Sequence, residues 1–175
     1  MVALSPAQLP TDLGSDIRKF ENALTVAVSE ATERTVAQVR RAVPSANVTW
    51  ELIETVGFEL SSSSEMVVVI RIPTLLLDGL GDIPRPIPYF ERVVQAMVDT
   101  VINKSELLPL ERVRRVTIIA WTPRDGRRER VPQVHVSAQT QDLLEFYGDR
   151  LSREEVRRRI TVEQQVDRVN VRRGG

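Results

Sequence analysis

Histidine occurs once in the 175 residues, at His135, and cysteine does not occur. Those two counts remove thiol nucleophiles, zinc–thiolate sites, disulfides and iron–sulfur clusters. A His-based metal site lacks its second imidazole. His135 keeps phase with Gln133 and Ser137, opposite Val134 and Val136. The alternation places it on the side of a strand turned to water or to a partner. The remaining acid–base groups are carboxylates. Asp78 and Asp82 stand four apart in DGLGD; Glu51, Glu54, Glu59 and Glu65 share one expected hairpin. Glu51 and Glu59 lie in the polar phase of that hairpin and Glu54 in the apolar phase. Oxygen ligands of this kind suit Mg²⁺, so an Mg²⁺-dependent hydrolase would use Asp78 and Asp82. A nuclease built on Glu-x-Lys is excluded, because that tripeptide is absent. The acids read as solvated side chains and turn residues. The sequence calls for no metal and no cofactor.

Phosphate cradles are missing too. There is no GxxxxGK[ST], no GxGxxG and no GxSxG. Gly79 and Gly81 lead into prolines rather than into a helix start. With no catalytic constellation, the chain reads as a non-enzyme, and its distinctive residues are those suited to contact.

Of the 24 basic residues, only Lys19 and Lys104 are lysine. Arginine presents a planar fork, is weakly hydrated and suits interfaces. Arg124, Arg127, Arg128 and Arg130 crowd the turn PRDGRRER, a basic ribbon able to grip an acidic protein surface or a nucleic-acid backbone. No aromatic residue interleaves with them, so stacking on single strands is not signalled. A second basic run, REEVRRRI, fits a solvated helix face with Glu154 and Arg158 as an i,i+4 pair. The segment PTLLLDGLGDIPRPIP, residues 73–88, holds four of the ten prolines and a concentration of leucine and isoleucine. It is too proline-rich for a helix and too apolar for a wet loop. Leu75, Leu76, Leu77 and Ile83 are its expected docking residues.

The elements that carry these residues follow from periodicity. Residues 1–14, with Pro6, Pro10 and Gly14, form an extended arm. The single domain spans 15–175. A helix starts at Ser15, an N-cap residue with Asp16 in the first turn. It runs with apolar positions Ile17, Phe20, Leu24, Val28, Ala31, Val36, Val39 and Val43 until Pro44 stops it. Val48–Leu60 alternates as a half-buried strand and pairs with the apolar strand Met66–Ile72. A helix from Pro88 to Lys104 buries Phe90, Val93, Val94, Met97, Val98, Val101 and Ile102. Val113–Trp121 and Val131–Ser137 form a second hairpin around Asp125-Gly126. Gln139–Tyr147 is a short helix ended by Gly148. Ser152 and Glu155 make a capping box, with Leu151 and Val156 as its hydrophobic staple. The tail after Ile160 fits strand or helix, and its β-branched content favours strand. The fold class is α+β: a long N-terminal helix, then ββαββα(β), a four- to five-stranded, mainly antiparallel sheet with helices on one face.

Net charge is zero by cancellation, −5 over residues 1–110 against +5 over 111–175. The two halves should attract, within one molecule or between neighbours. Apolar runs fall well short of the roughly 18 residues that span a bilayer, and MVALSPAQLP has no signal-peptide pattern. The expected location is the cytoplasm or an assembled particle.

Two resemblances follow from these residues. The stretch RLSREEVRRRITVEQQVDRVNVRRGG resembles the end of ubiquitin-like proteins, where a last strand runs into an Arg-rich tail with two glycines. That implies a β-grasp fold and a modifier whose contact is Arg172, Arg173, Gly174 and Gly175. The order helix, hairpin, crossing helix, hairpin is similar to the small ring-forming proteins that cap or join phage-type tail tubes. That implies a structural subunit, tail-terminator or connector-like, whose partners are copies of itself and other subunits. A nucleic-acid-binding accessory domain using the 124–130 hairpin is the alternative from another class. The expectation carried forward is the assembly subunit, meeting its neighbours acidic surface against basic surface through the Arg hairpin and the 73–88 segment.

Overall fold

A computed structural model describes residues 11–45, 55–60, 65–71, 87–123 and 130–164, with side chains at 14–45, 65–71, 87–121 and 134–164. The first helix, α1, spans Thr11–Ala42 and so begins four residues before Ser15. Arg40 and Arg41 in its last turn complement the helix dipole. Val43 still donates its N–H to the Val39 carbonyl, and Pro44 follows. Ile17, Phe20, Leu24, Val28, Ala31, Val36 and Val39 form its buried stripe, as the 3.6-residue period requires. Thr32 and Thr35 lie in the same stripe, fully buried. Their hydroxyls donate back to the Val28 and Ala31 carbonyls, which satisfies them inside the helix.

Strands β1 (Thr55–Leu60) and β2 (Glu65–Arg71) form the expected antiparallel hairpin, with a bulge between Thr55 and Gly57. Helix α2, Tyr89–Lys104, follows. Two 3₁₀ turns, Ser105–Leu107 and Leu110–Arg112, lead into β3, Arg115–Pro123. β3 pairs with β2 in parallel, so β2–α2–β3 is a crossover unit. Strand β4 (Arg130–Gln139), helices α3 (Thr140–Tyr147) and α4 (Arg153–Arg159) and strand β5 (Thr161–Glu163) complete the described chain. The sheet order is β1-β2-β3-β4-β5, antiparallel at every step except β2–β3.

One face of the sheet is sealed. Met66, Val68 and Ile70 of β2, Val116, Ile118 and Ala120 of β3, and Val134, Val136 and Ala138 of β4 are buried under the helices. α2 contributes Tyr89, Val93, Met97, Val98, Val101 and Ile102, with Phe90 and Val94 packed at its margin. The α1–α2 seam has polar stitches. The Tyr89 hydroxyl lies 3.1 Å from Thr32 Oγ1. Thr32 has already given its proton to Val28, so Tyr89 is the donor. Arg92 donates to Thr35 Oγ1 at 3.3 Å and to Gln38 Oε1 at 2.8 Å.

The C-terminal helices are locked to this core. Tyr147 donates its hydroxyl to the Ile102 carbonyl at 2.6 Å, satisfying an acceptor in the last turn of α2. The Ser152–Glu155 capping box is present in both directions, with Leu151 and Val156 buried beside it. The basic run in α4 is a largely exposed face, as expected, and three of its arginines also have partners. Arg157 pairs with Asp99 of α2, Arg159 pairs with Asp142 of α3 at 2.9 Å, and Arg153 lies over the Phe146 ring. The Asp142 carboxylate holds Arg159 above its ordinary pKa.

Where α3 ends, the left-handed residue is Asp149 (φ 58°), while Gly148 stays at φ −87°. Glycine is the residue that adopts a left-handed backbone without strain. Asp149→Gly is therefore expected to stabilise the protein by about 0.5–1 kcal/mol in a urea titration. A second expectation concerns base. Burial pushes the phenols of Tyr89 and Tyr147 up to about 12. The folded chain then retains protons that the unfolded chain releases above pH 10, so stability falls as pH rises. Unfolding free energy should be unaffected by these groups below pH 10 and decline from pH 10 to about 12. Tyr89→Phe should remove its share of that decline.

Candidate functional site

The strand directions define two ends of the sheet. At one end lie Thr55 of β1, Arg71 of β2, Pro123 of β3 and Arg130 of β4, and β5 points toward it, since Thr161 faces Ser137 and Glu163 faces His135. Every chain segment singled out for contact springs from this end. Arg71, where 72–86 begins, sits beside Trp121, two residues before β3 ends at Pro123. β5 runs toward the same end up to Glu163, and β1 begins there at Thr55. Arg124, Arg127 and Arg128, Leu75, Leu76, Leu77 and Ile83, and Arg172, Arg173, Gly174 and Gly175 lie outside the described residues. Arg130 is placed only through its backbone, opposite Pro123. The acids Glu51, Glu54, Asp78 and Asp82 also lie outside. What the described strands fix is the common origin of the segments.

A proline positions part of this end. Pro132 has no N–H, and β4 bulges between its pairings of Val134 with Ala120 and Pro132 with Trp121. Among the described residues, β5 pairs with His135, Val136 and Ser137 and stops short of Pro132.

The second sheet face carries polar and half-buried residues, and the described helices pack on the other side. Glu65 accepts a hydrogen bond from Thr117 Oγ1 at 3.1 Å. Ser137 lies 3.0 Å from the same oxygen and, with that proton spent, is the donor. Arg115 approaches Glu65 at 3.9 Å. Val67, Val69, Ile119 and Trp121 are half-buried around this chain. His135 shares the face, opposite Ile119 and Glu163. It is half-buried, and its Nε2 is buried without a hydrogen-bond partner. The ring is thus less open to water than strand alternation implies. Among the described residues, no three His, Asp or Glu side chains are grouped to hold a metal, and no helix is long and apolar enough to cross a membrane.

The opposite end of the sheet holds a cleft of about 810 Å³. Its walls are the Leu110–Arg112 turn with Val113 and Arg114, the first turns of α3, and the cleft-side ends of β2, β3 and β4 at Glu65, Arg115 and Gln139. The Thr140 N–H donates to the Arg114 carbonyl at 2.9 Å and so fixes α3 against that wall. Leu144 is 46% exposed at the rim. Glu65 is engaged by Arg115 and Thr117, and Asp142 by Arg159. Glu111, the third carboxylate of the lining, is exposed, and the Thr140 hydroxyl is buried in the wall without a hydrogen-bond partner. Sequence reading missed the cleft, because its walls come from stretches near 65, 110–115 and 139–144 that periodicity treats separately.

Comparison with protein-family models, with curated proteins and with solved structures returns no match.

Among the described residues, the acidic and basic halves meet within the molecule where Asp99 pairs with Arg157 and Glu65 with Arg115. Both pairs are partly exposed, so each is worth little. A double-mutant cycle on Asp99→Ala and Arg157→Ala should give a coupling of about 0.5–1 kcal/mol that shrinks at 1 M salt.

Proposed function

We propose that the chain is a non-enzymatic assembly subunit that joins copies of itself and other subunits in a ring or tube of a phage-like particle, tail-terminator or connector-like in role. The observation that carries the reading is the common origin, at one end of the sheet, of the Arg-rich hairpin, the apolar 72–86 connection and the basic tail. Apolar residues supply burial and arginines supply planar charge, the combination that interfaces favour. A rigid sheet under a two-helix layer gives such segments a fixed platform. Arg124, Arg127, Arg128 and Arg130 are the proposed polar contacts, and Leu75, Leu76, Leu77 and Ile83 the apolar ones.

Size-exclusion chromatography with light scattering tests this at several concentrations and salts. The subunit is 19.8 kDa. The expected result is a species of several subunits that dissociates on dilution and loosens with added salt. A particle of one subunit at every concentration and salt would overturn the reading.

A further inference from the structure

We infer that the cleft binds a small zwitterion, a molecule with one carboxylate and one amine on a short apolar body. Such a site works within one subunit and does not depend on the assembly reading.

The carboxylate end follows from the start of α3. This eight-residue helix begins at the cleft, with Thr140, Gln141 and Asp142 in the wall. The first N–H groups of a helix have no acceptor within it. Thr140 spends its N–H on the Arg114 carbonyl. Gln139, at the N-cap, makes no side-chain bond to the others. Asp142 could serve as the helix's own anion, but Arg159 of α4 draws its carboxylate off at 2.9 Å. The N–H groups of Gln141 and Asp142 are left for an outside acceptor at the positive end of the helix dipole. The Thr140 side chain calls for the same occupant. The residue is 4% exposed, and its Oγ1 is buried in the cleft wall with no hydrogen-bond partner. A buried hydroxyl left unpaired costs free energy that a bound acceptor returns. Arg114 lines the same cleft, is exposed and makes no ion pair among the described residues. Its planar fork matches a carboxylate.

The amine end follows from the charge left over. Within the lining, Glu65 is held by Arg115, and Asp142 is held by Arg159. Arg114 and Glu111 remain, one charge of each sign, both exposed. A dianion would set its second charge against Glu111, and a simple amine would leave the helix start and Arg114 unmet. A zwitterion satisfies both, with its carboxylate at α3 and Arg114 and its amine at Glu111. Leu144, 46% exposed at the rim, offers apolar surface to the carbon body between them. The volume of about 810 Å³ lies in the range of small-molecule sites.

Amide NMR of the isotope-labelled full chain, titrated with single compounds, tests the assignment. The zwitterionic probes are leucine, β-alanine and γ-aminobutyrate. Propionate is the carboxylate alone, butylamine the amine alone, and inorganic phosphate the dianion. At least one zwitterion should shift the Gln141 and Asp142 amides saturably, in the millimolar range or below, and more tightly than the other three compounds. Arg114→Gln should weaken that binding by roughly tenfold. Glu111→Gln should reduce the zwitterion to the affinity of propionate. Thr140→Val keeps the side-chain shape, removes the hydroxyl and should weaken both zwitterion and propionate. Arg114 and Glu111 are exposed, so their variants should melt as the wild type does. Three results would overturn the proposal: no saturable shift of these two amides by any zwitterion, phosphate binding more tightly than every zwitterion, or unchanged affinity in Arg114→Gln.

Discussion

Most of the stability of a protein helix comes from tertiary packing of its apolar face. The 32 residues of α1 are no exception, and the seam between α1, α2 and the sheet is the contact on which the molecule depends. Phe20, Leu24 and Val28 are wholly buried there, as are Tyr89, Met97 and Ile102 on the facing helix. Each such side chain contributes roughly 1.5–3 kcal/mol of transfer free energy. A domain is stable by only about 5–15 kcal/mol in total, so two or three of these residues decide whether the fold exists. Tyr89 to Thr32 and Arg92 to Gln38 add direction to a contact whose main term is non-directional.

That seam determines where contact surfaces can lie. The helical layer seals one face of the sheet and is itself stitched down at its C-terminal end by Tyr147, Arg157 and Arg159. Arg153, Arg157 and Arg159 of α4 thereby engage groups of the same molecule, and the zero net charge is in part an internal pairing of its acidic and basic halves. Outside that layer lie the two ends of the sheet and its second face, where Thr117 is buried and Val67, Val69, Ile119, Trp121 and His135 are half-buried. One end gives rise to the apolar and arginine-rich segments, and the other holds the cleft.

Elements set by local pattern were legible in the sequence. The α2 stripe, both hairpins and the Ser152–Glu155 capping box appear where spacing places them. Features that depend on distant neighbours were not. The parallel pairing of β2 with β3 joins strands 50 residues apart in register, and nothing in MVVVIRI distinguishes parallel from antiparallel burial. Asp99 and Arg157 are 58 positions apart, so helix spacing pointed instead to a Glu154–Arg158 pair. At the end of α3, composition favours Gly148 for the left-handed position, yet the backbone places Asp149 there. Polar threonines at 32 and 35 occupy core positions because each hydroxyl closes on its own helix. The cleft is assembled from three stretches of chain, and its existence follows from topology alone.

The central claim is that the end of the sheet with the apolar and arginine-rich segments, and not the helical layer, is where subunits meet. Hydrogen exchange of the full chain, compared at low and high protein concentration, measures it directly. The account predicts slower exchange at high concentration in 72–86 and 124–129, with exchange in α1 and α2 unchanged. Protection that appears on the outer surface of α1, or exchange that is independent of concentration everywhere, would contradict it.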